Sequence, residues 1–210
     1  MYNYALFFFQ ERRTILTNGV IDLKIATNRL NAFSDGVFAI IITIIVLGIS
    51  FPSTFDCAHL IPFFWEIFIF LQSSLVVGSF WYMHSHLLDG YEYVSINTAV
   101  ANIFHLIFLA LLPLFSKGIM QHPTDIFPTI GLGIIVLLAF ASYSVMSMTI
   151  ASYSDRSVRI SSFICWPISI IIAILFAFIS TYISMILYVL LPIIWWVTRL
   201  WANSKNRSKS

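Results

Sequence analysis

RLNAFSDGVFAIIITIIVLGISFP, residues 29–52, opens on a cation, closes on a proline and is apolar for most of its length. Ser34 and Asp35 sit at its head and Thr43 in its middle. A run of about 20 apolar residues is what a membrane-crossing helix requires. A carboxylate inside such a run costs about 3 kcal/mol at the bilayer centre unless it is paired or watered, which makes it a functional candidate by default. The reading of this stretch therefore decides both the fold and the place to look for a site.

Composition points the same way. Of the 210 residues, 60% are hydrophobic and only 10% charged, with a mean hydropathy of +0.92. A soluble domain carries about a quarter of its residues charged, so the chain is an integral membrane protein. A net charge of +2 gives no argument for a nucleic-acid partner. Cys57 and Cys165 fall near opposite membrane faces in the topology below, which argues against a disulfide, and no Cys/His spacing makes a zinc site. In MYNYALFFFQERR the apolar run precedes the charges, the reverse of a signal peptide, and it is too short to span. Residues 1–27 read as a partly amphipathic lead-in at the membrane surface.

Six segments have the length and apolarity of spans: 30–51, 61–84, 97–119, 126–150, 160–179 and 183–202. The least marked boundary is the one at 180–184, and a single long tilted helix there would reduce the count to five. Arg12, Arg13, Lys24 and Arg29 precede the first span; Arg156 and Arg159 separate the fourth and fifth; Arg199, Lys205, Arg207 and Lys209 close the chain. With six spans these all lie on one side, with Lys117 near the other, which predicts cytoplasmic termini and a multi-pass protein of the cell membrane. Residues 28–202 form the membrane domain and 203–210 a basic cytoplasmic tail. No internal duplication suggests a pseudo-symmetric transporter.

Asp35 stands two turns into the first helix, and Arg29 lies off its face, so the carboxylate needs a partner on another helix. Read at interface depth, it would instead merely cap or anchor the helix. In WYMHSH, residues 81–86, Trp81 and His84 share a helical face, and Asn102 and His105 repeat that spacing in the third span. A network of Ser34, Asp35, His84 and Asn102 would satisfy buried polar groups and clamp helices together. Taken alone, each histidine reads as a hydrogen-bonded structural residue rather than a metal ligand, and His84 and His86 are expected to straddle a helix end. Ile40, Thr43, Ile44 and Leu47 form a second feature, one stripe at helical spacing. In a lone helix, packing accounts for it, with Thr43 bonded back to the Ala39 carbonyl. Around a common axis of several copies it becomes stacked rings, the apolar ones able to gate by dewetting and the hydroxyl ring able to face a partly dehydrated cation.

The pattern Arg-x-x-x-Phe-Ser-Asp-Gly at 29–36, followed by the tryptophan and histidines of WYMHSH, Asn102 and LLPLF at 111–115, resembles a known family. It is similar to the prokaryotic relatives of the endosomal/lysosomal potassium channel called transmembrane protein 175. The specific motifs cover residues 28–120. The resemblance implies an all-α protein of six transmembrane helices per subunit. It also implies a homotetramer whose first helix lines a central potassium pathway with no reentrant filter. By position, Ile40 would be the first constriction, Ile44 and Leu47 would extend it, and Thr43 would be the layer linked to potassium preference. Arg29, Ser34, Asp35, Trp81, His84 and Asn102 would form the polar network fixing the first helix. The implied partners are potassium ions in transit, lipid and other copies of the chain, with no cofactor and no resident metal. Gly48-Ile49-Ser50 departs from the pattern, standing where an acidic residue is common, and Lys117 would weaken cation attraction at that end further.

The leading expectation is therefore a passive potassium-permeable channel and not an enzyme. The alternative is a proton-coupled transporter or proton pathway using Asp35 and His84. An intramembrane enzyme is a third class, for which no Ser/His/Asp or metal spacing speaks.

Overall fold

The computed structural model describes residues 16–17, 20–21, 24–151, 160–190, 193–194 and 197; side chains are described from 24 to 151 and from 167 onward among these. The helices are α1 (Thr27–Val46), α2 (Cys57–Leu88), α3 (Ile96–Ala110), α4 (Leu112–Gln121), α5 (Ile126–Ala151), α6 (Ile160–Ala177) and α7 (Thr181–Leu190). Four short strands accompany them: β1 (Leu16–Thr17), β2 (Val20–Ile21), β3 (Lys24–Ala26) and β4 (Tyr93–Ser95). Among the described residues, four helical runs are long and apolar enough to cross a membrane: α1, α2, the α3–α4 run Ile96–Gln121, and α5. These coincide with the first four expected spans.

Local chemistry explains the boundaries. Asp56 caps α2 by accepting the His59 amide at 3.0 Å, and Ser95 caps α3 by accepting that of Thr98 at 3.2 Å. The α3–α4 break falls at Leu111, just before Pro113. The ring of Pro113 has no N–H to continue the ladder and collides with the carbonyl four residues back. Helix α2 runs to Leu88, so His84 and His86 both lie within it rather than across its end, contrary to expectation. The chain then turns through Gly90 at φ 85°, a conformation that glycine adopts without a side-chain clash.

Between α6 and α7 the chain reverses. Eleven residues of continuous helix span about 16 Å, yet Ser184 Oγ donates to the Ala173 carbonyl at 2.8 Å. That contact requires a hairpin at 178–180, so the single long helix considered for this stretch does not form. The described apolar lengths here, Pro167–Ala177 and Thr181–Leu190, are shorter than a crossing. The loop at 152–159, residues 198–202, the tail at 203–210 and residues 1–15 lie outside the described residues. So do most of the basic residues that carry the orientation argument.

The lead-in is not only a surface segment. Strand β3 pairs antiparallel with β4, with Lys24 opposite Ser95, Ile25 opposite Val94 and Ala26 opposite Tyr93. The Thr27 amide continues the ladder to the Glu92 carbonyl at 3.0 Å. This replaces the side-chain cap that α1 lacks at Ala26 and ties the start of α1 to the α2–α3 turn.

Lipid offers apolar side chains no gain from leaving it, so helices in a bilayer associate through close packing and interhelical hydrogen bonds. Both are present. Phe38, Ile41 and Ile45 of α1 pack into one core with Val77 and Phe80 of α2, Leu109 of α3 and Leu112 of α4. Ser73 bonds Ser116 at 2.8 Å across α2 and α4, and Thr98 bonds Thr149 at 3.0 Å across α3 and α5. A Cβ at Gly133 would collide with the Tyr188 hydroxyl and with Ile174, so this glycine lets α5 approach α6 and α7 closely.

Candidate functional site

Helix α1 has two faces of opposite character. Phe38, Ile41 and Ile45 are each only 2% exposed and face the bundle. Ile40, Ile44 and Leu47, roughly opposite, are 57%, 48% and 82% exposed on the single chain, and Thr43 is exposed among them. The stripe from Ile40 to Leu47 is about 10 Å long. Other helices also expose large apolar side chains, as contact with lipid requires. The α1 stripe differs in carrying a hydroxyl at its centre. Thr43 Oγ1 donates to the Ile40 carbonyl, three residues back, at 2.8 Å; the expected acceptor was Ala39. Because the proton is given to the backbone, the oxygen lone pairs remain free to face outward.

The inward face holds a directional chain of hydrogen bonds. His84 Nε2 lies 2.7 Å from Asn102 Oδ1. An amide oxygen only accepts, so His84 donates, which sets its tautomer. Asn102 Nδ2 then donates to Ser34 Oγ at 3.0 Å, and Ser34 donates to the Leu30 carbonyl at 2.9 Å. All three side chains are buried. The chain crosses α2, α3 and α1 in that order and brings together three of the residues singled out from sequence.

Asp35 is not part of that chain. It sits on the flank between the buried face and the stripe, where Trp81 Nε1 donates to its Oδ1 at 2.8 Å. The interhelical partner that the sequence required is thus Trp81 rather than a histidine. Arg29 is exposed on α1, and its side chain pairs with no carboxylate among the described residues. Among the described residues it makes no contact with the network. His105 stacks on His84 with ring centroids 6.3 Å apart and planes 5° from parallel. It lies 2.8 Å from the Ala139 carbonyl through Nδ1, which fixes the proton on that nitrogen.

The sequence reading does not single out Glu66. This half-buried carboxylate lies in the apolar run of α2 and accepts the Ser50 amide at 2.6 Å, just beyond the end of α1. An ionisable residue inside a span was the available signal, the same one that marks Asp35.

Comparisons with known proteins agree with one another. Residues 29–113 match the profile of the family described as endosomal/lysosomal potassium channel TMEM175. A protein of Chryseobacterium sp. (strain P1-3) named as a potassium channel is 29% identical over 174 residues, covering 80% of this chain and 91% of that one. In fold, the chain resembles the crystal structure of a homologue, from Chamaesiphon minutus, of the lysosomal potassium-selective channel TMEM175. The TM-score is 0.70 at 22% identity, over 82% of this chain and 97% of that one.

Proposed function

We propose that the chain, whose residues 29–113 match the endosomal/lysosomal potassium channel TMEM175 family, is a member of that family and a passive, potassium-permeable channel of the cell membrane. Four copies, each with six membrane helices and both termini cytoplasmic, would set their α1 stripes around one axis. Ile40 then forms the narrowest ring, with Ile44 and Leu47 continuing an apolar lining, and Thr43 supplies a ring of hydroxyl oxygens between them.

The observation that carries this reading is the division of α1. One face is held by the bundle through Ser34, Phe38, Ile41 and Ile45, while the opposite face leaves Ile40, Thr43, Ile44 and Leu47 exposed on the single chain. A cation passing such a lining sheds part of its water at the aliphatic rings. The outward lone pairs of Thr43 then offer replacement dipoles. Ser34, Asn102 and His84, with Trp81 on Asp35, hold α1 at a fixed angle, so the rings keep their diameter. The proton-pathway alternative needs Asp35 and His84 to exchange a proton. Their hydrogen bonds are to different partners, Trp81 and Asn102 respectively, which favours the positioning role.

The test is potassium flux from loaded vesicles for wild type, Ile40→Asn and Asp35→Ala, with no proton gradient imposed. Wild type is expected to conduct down the potassium gradient, and Ile40→Asn to conduct at least several-fold faster because the apolar ring is wetted. An Ile40→Asn protein that assembles normally and leaves flux unchanged removes the pore assignment.

A further inference from the structure

Glu66 stands where its charge is hardest to explain by stability. Its carboxylate accepts the amide of Ser50, three residues past Leu47 and just beyond the end of α1. The C-terminal end of a helix already carries a partial negative charge, so a carboxylate there is electrostatically unfavourable. A glutamine would accept the same amide proton without that cost. Nor is the charge held in an ion pair. Among the described residues Glu66 has no cation within ion-pair distance. The basic residue in the neighbourhood is Lys117, exposed on α4 near Gly48.

From this geometry we infer that Glu66 supplies the fixed negative charge at the Leu47 end of the ion pathway. There it adds to the α1 dipole and raises the local potassium concentration. The inference rests on the channel reading above and extends it to a residue on α2 that lines no constriction. In a fourfold assembly each copy contributes one carboxylate and one helix end to the same mouth, and the potentials add. The bond to the Ser50 amide fixes where the charge sits relative to Leu47. Glu66 therefore acts as a positioned surface charge rather than an ion ligand, and its effect depends on screening.

That dependence gives the test. Single-channel currents are recorded in planar bilayers for wild type, Glu66→Gln and the double variant Glu66→Gln/Ser50→Glu, at about 10 mM and about 1 M potassium chloride. The screening length falls from about 30 Å to about 3 Å between these conditions. Glu66→Gln is expected to lower the current entering from the Leu47 end about threefold at the lower concentration and to leave it unchanged at the higher one. Current entering from the opposite end stays as in wild type, and the double variant, which returns a charge one residue contact away, regains most of the loss. A Glu66→Gln current that is unchanged at both concentrations, or reduced equally at both, overturns the inference. The first outcome denies the charge a role and the second assigns it a structural one. A wild type that carries no potassium current overturns the channel reading and this inference with it.

Discussion

Asn102 is the centre of the buried hydrogen-bond chain, and replacing it tests whether that chain holds α1 in place. In Asn102→Leu, His84 loses the acceptor for its Nε2 proton, while Ser34 keeps its bond to the Leu30 carbonyl. The loss therefore falls on His84, which is only 1% exposed. Leaving one buried donor unpaired costs about 1–3 kcal/mol, and the lost Asn102–Ser34 bond adds about 0.6 kcal/mol by the usual worth of an interhelical bond in lipid. The single variant is then expected to lose about 2–4 kcal/mol. Adding His84→Phe removes the orphaned donor while keeping a ring against Phe38, whose edge-on contact with His84 has a centroid distance of 5.7 Å. Replacing both partners by apolar groups is close to neutral where removing one is not. The double variant should thus recover about 1 kcal/mol or more relative to Asn102→Leu. Unfolding in detergent micelles, followed by tryptophan fluorescence, reads all four members of the cycle. If His84→Phe costs as much in the Asn102→Leu background as in wild type, the two residues are uncoupled and the chain does not stabilise the helix.

Two further outcomes follow from other parts of the fold. Gly133→Ala should destabilise the packing of α5 on α6 and α7, because the added methyl meets the Tyr188 hydroxyl and Ile174; overpacking of this kind costs about 1–3 kcal/mol. A melting temperature equal to wild type in the same micelles would show that the hairpin moves away at no cost. At the start of α2, the hydrogen bonds from the His59 ring and amide hold the Asp56 carboxyl below its usual value of 3.8. Its stabilisation is complete above that value and is lost as pH falls through the lower folded-state value. Protection of the His59 amide, its exchange rate taken relative to the intrinsic rate at each pH, should therefore fall only at strongly acidic pH, and Asp56→Asn, which keeps an acceptor for the cap, should abolish that fall; a variant that retains it would trace the effect to another group.

What the sequence made legible was what a bilayer penalises. Ser34, His84 and Asn102 stand out because each is polar inside an apolar run, and the cost of leaving such groups unpaired forces them towards one another. The same reasoning required a partner for Asp35 but could not choose Trp81 over a histidine. That choice depends on how α2 is rotated against α1, which the packing of Phe38, Ile41 and Ile45 decides. Glu66 was equally legible by the same rule. The pairing of β3 with β4 was not, because three-residue strands almost seventy positions apart leave no periodicity, and their register is set by where α1 and the α2–α3 turn end. The stop at Leu88 was hidden for a related reason. The polar residues from His86 onward resemble a loop in composition, yet a helix leaving the bilayer continues into water without penalty until a residue such as Gly90 turns it.

The position of Thr43 shows how the two faces of α1 depend on one another. A threonine that donates to the carbonyl of Ile40 has surrendered its proton to the helix it stands on, so its oxygen is committed to accepting, and a cation is a partner that lone pairs attract. That commitment serves conduction only if the helix is held at a constant rotation. In the proposed fourfold assembly, a turn of α1 by one residue, 100°, would bring Thr43 away from the axis and put a different side chain in its place. The buried chain through Ser34 and the flanking bond from Trp81 to Asp35 resist that rotation from two sides, one on the inner face and one on the edge. On the proposed channel reading, the carboxylate at the head of the span would bear on permeation without meeting the ion, through the angle at which it holds a hydroxyl two turns further on.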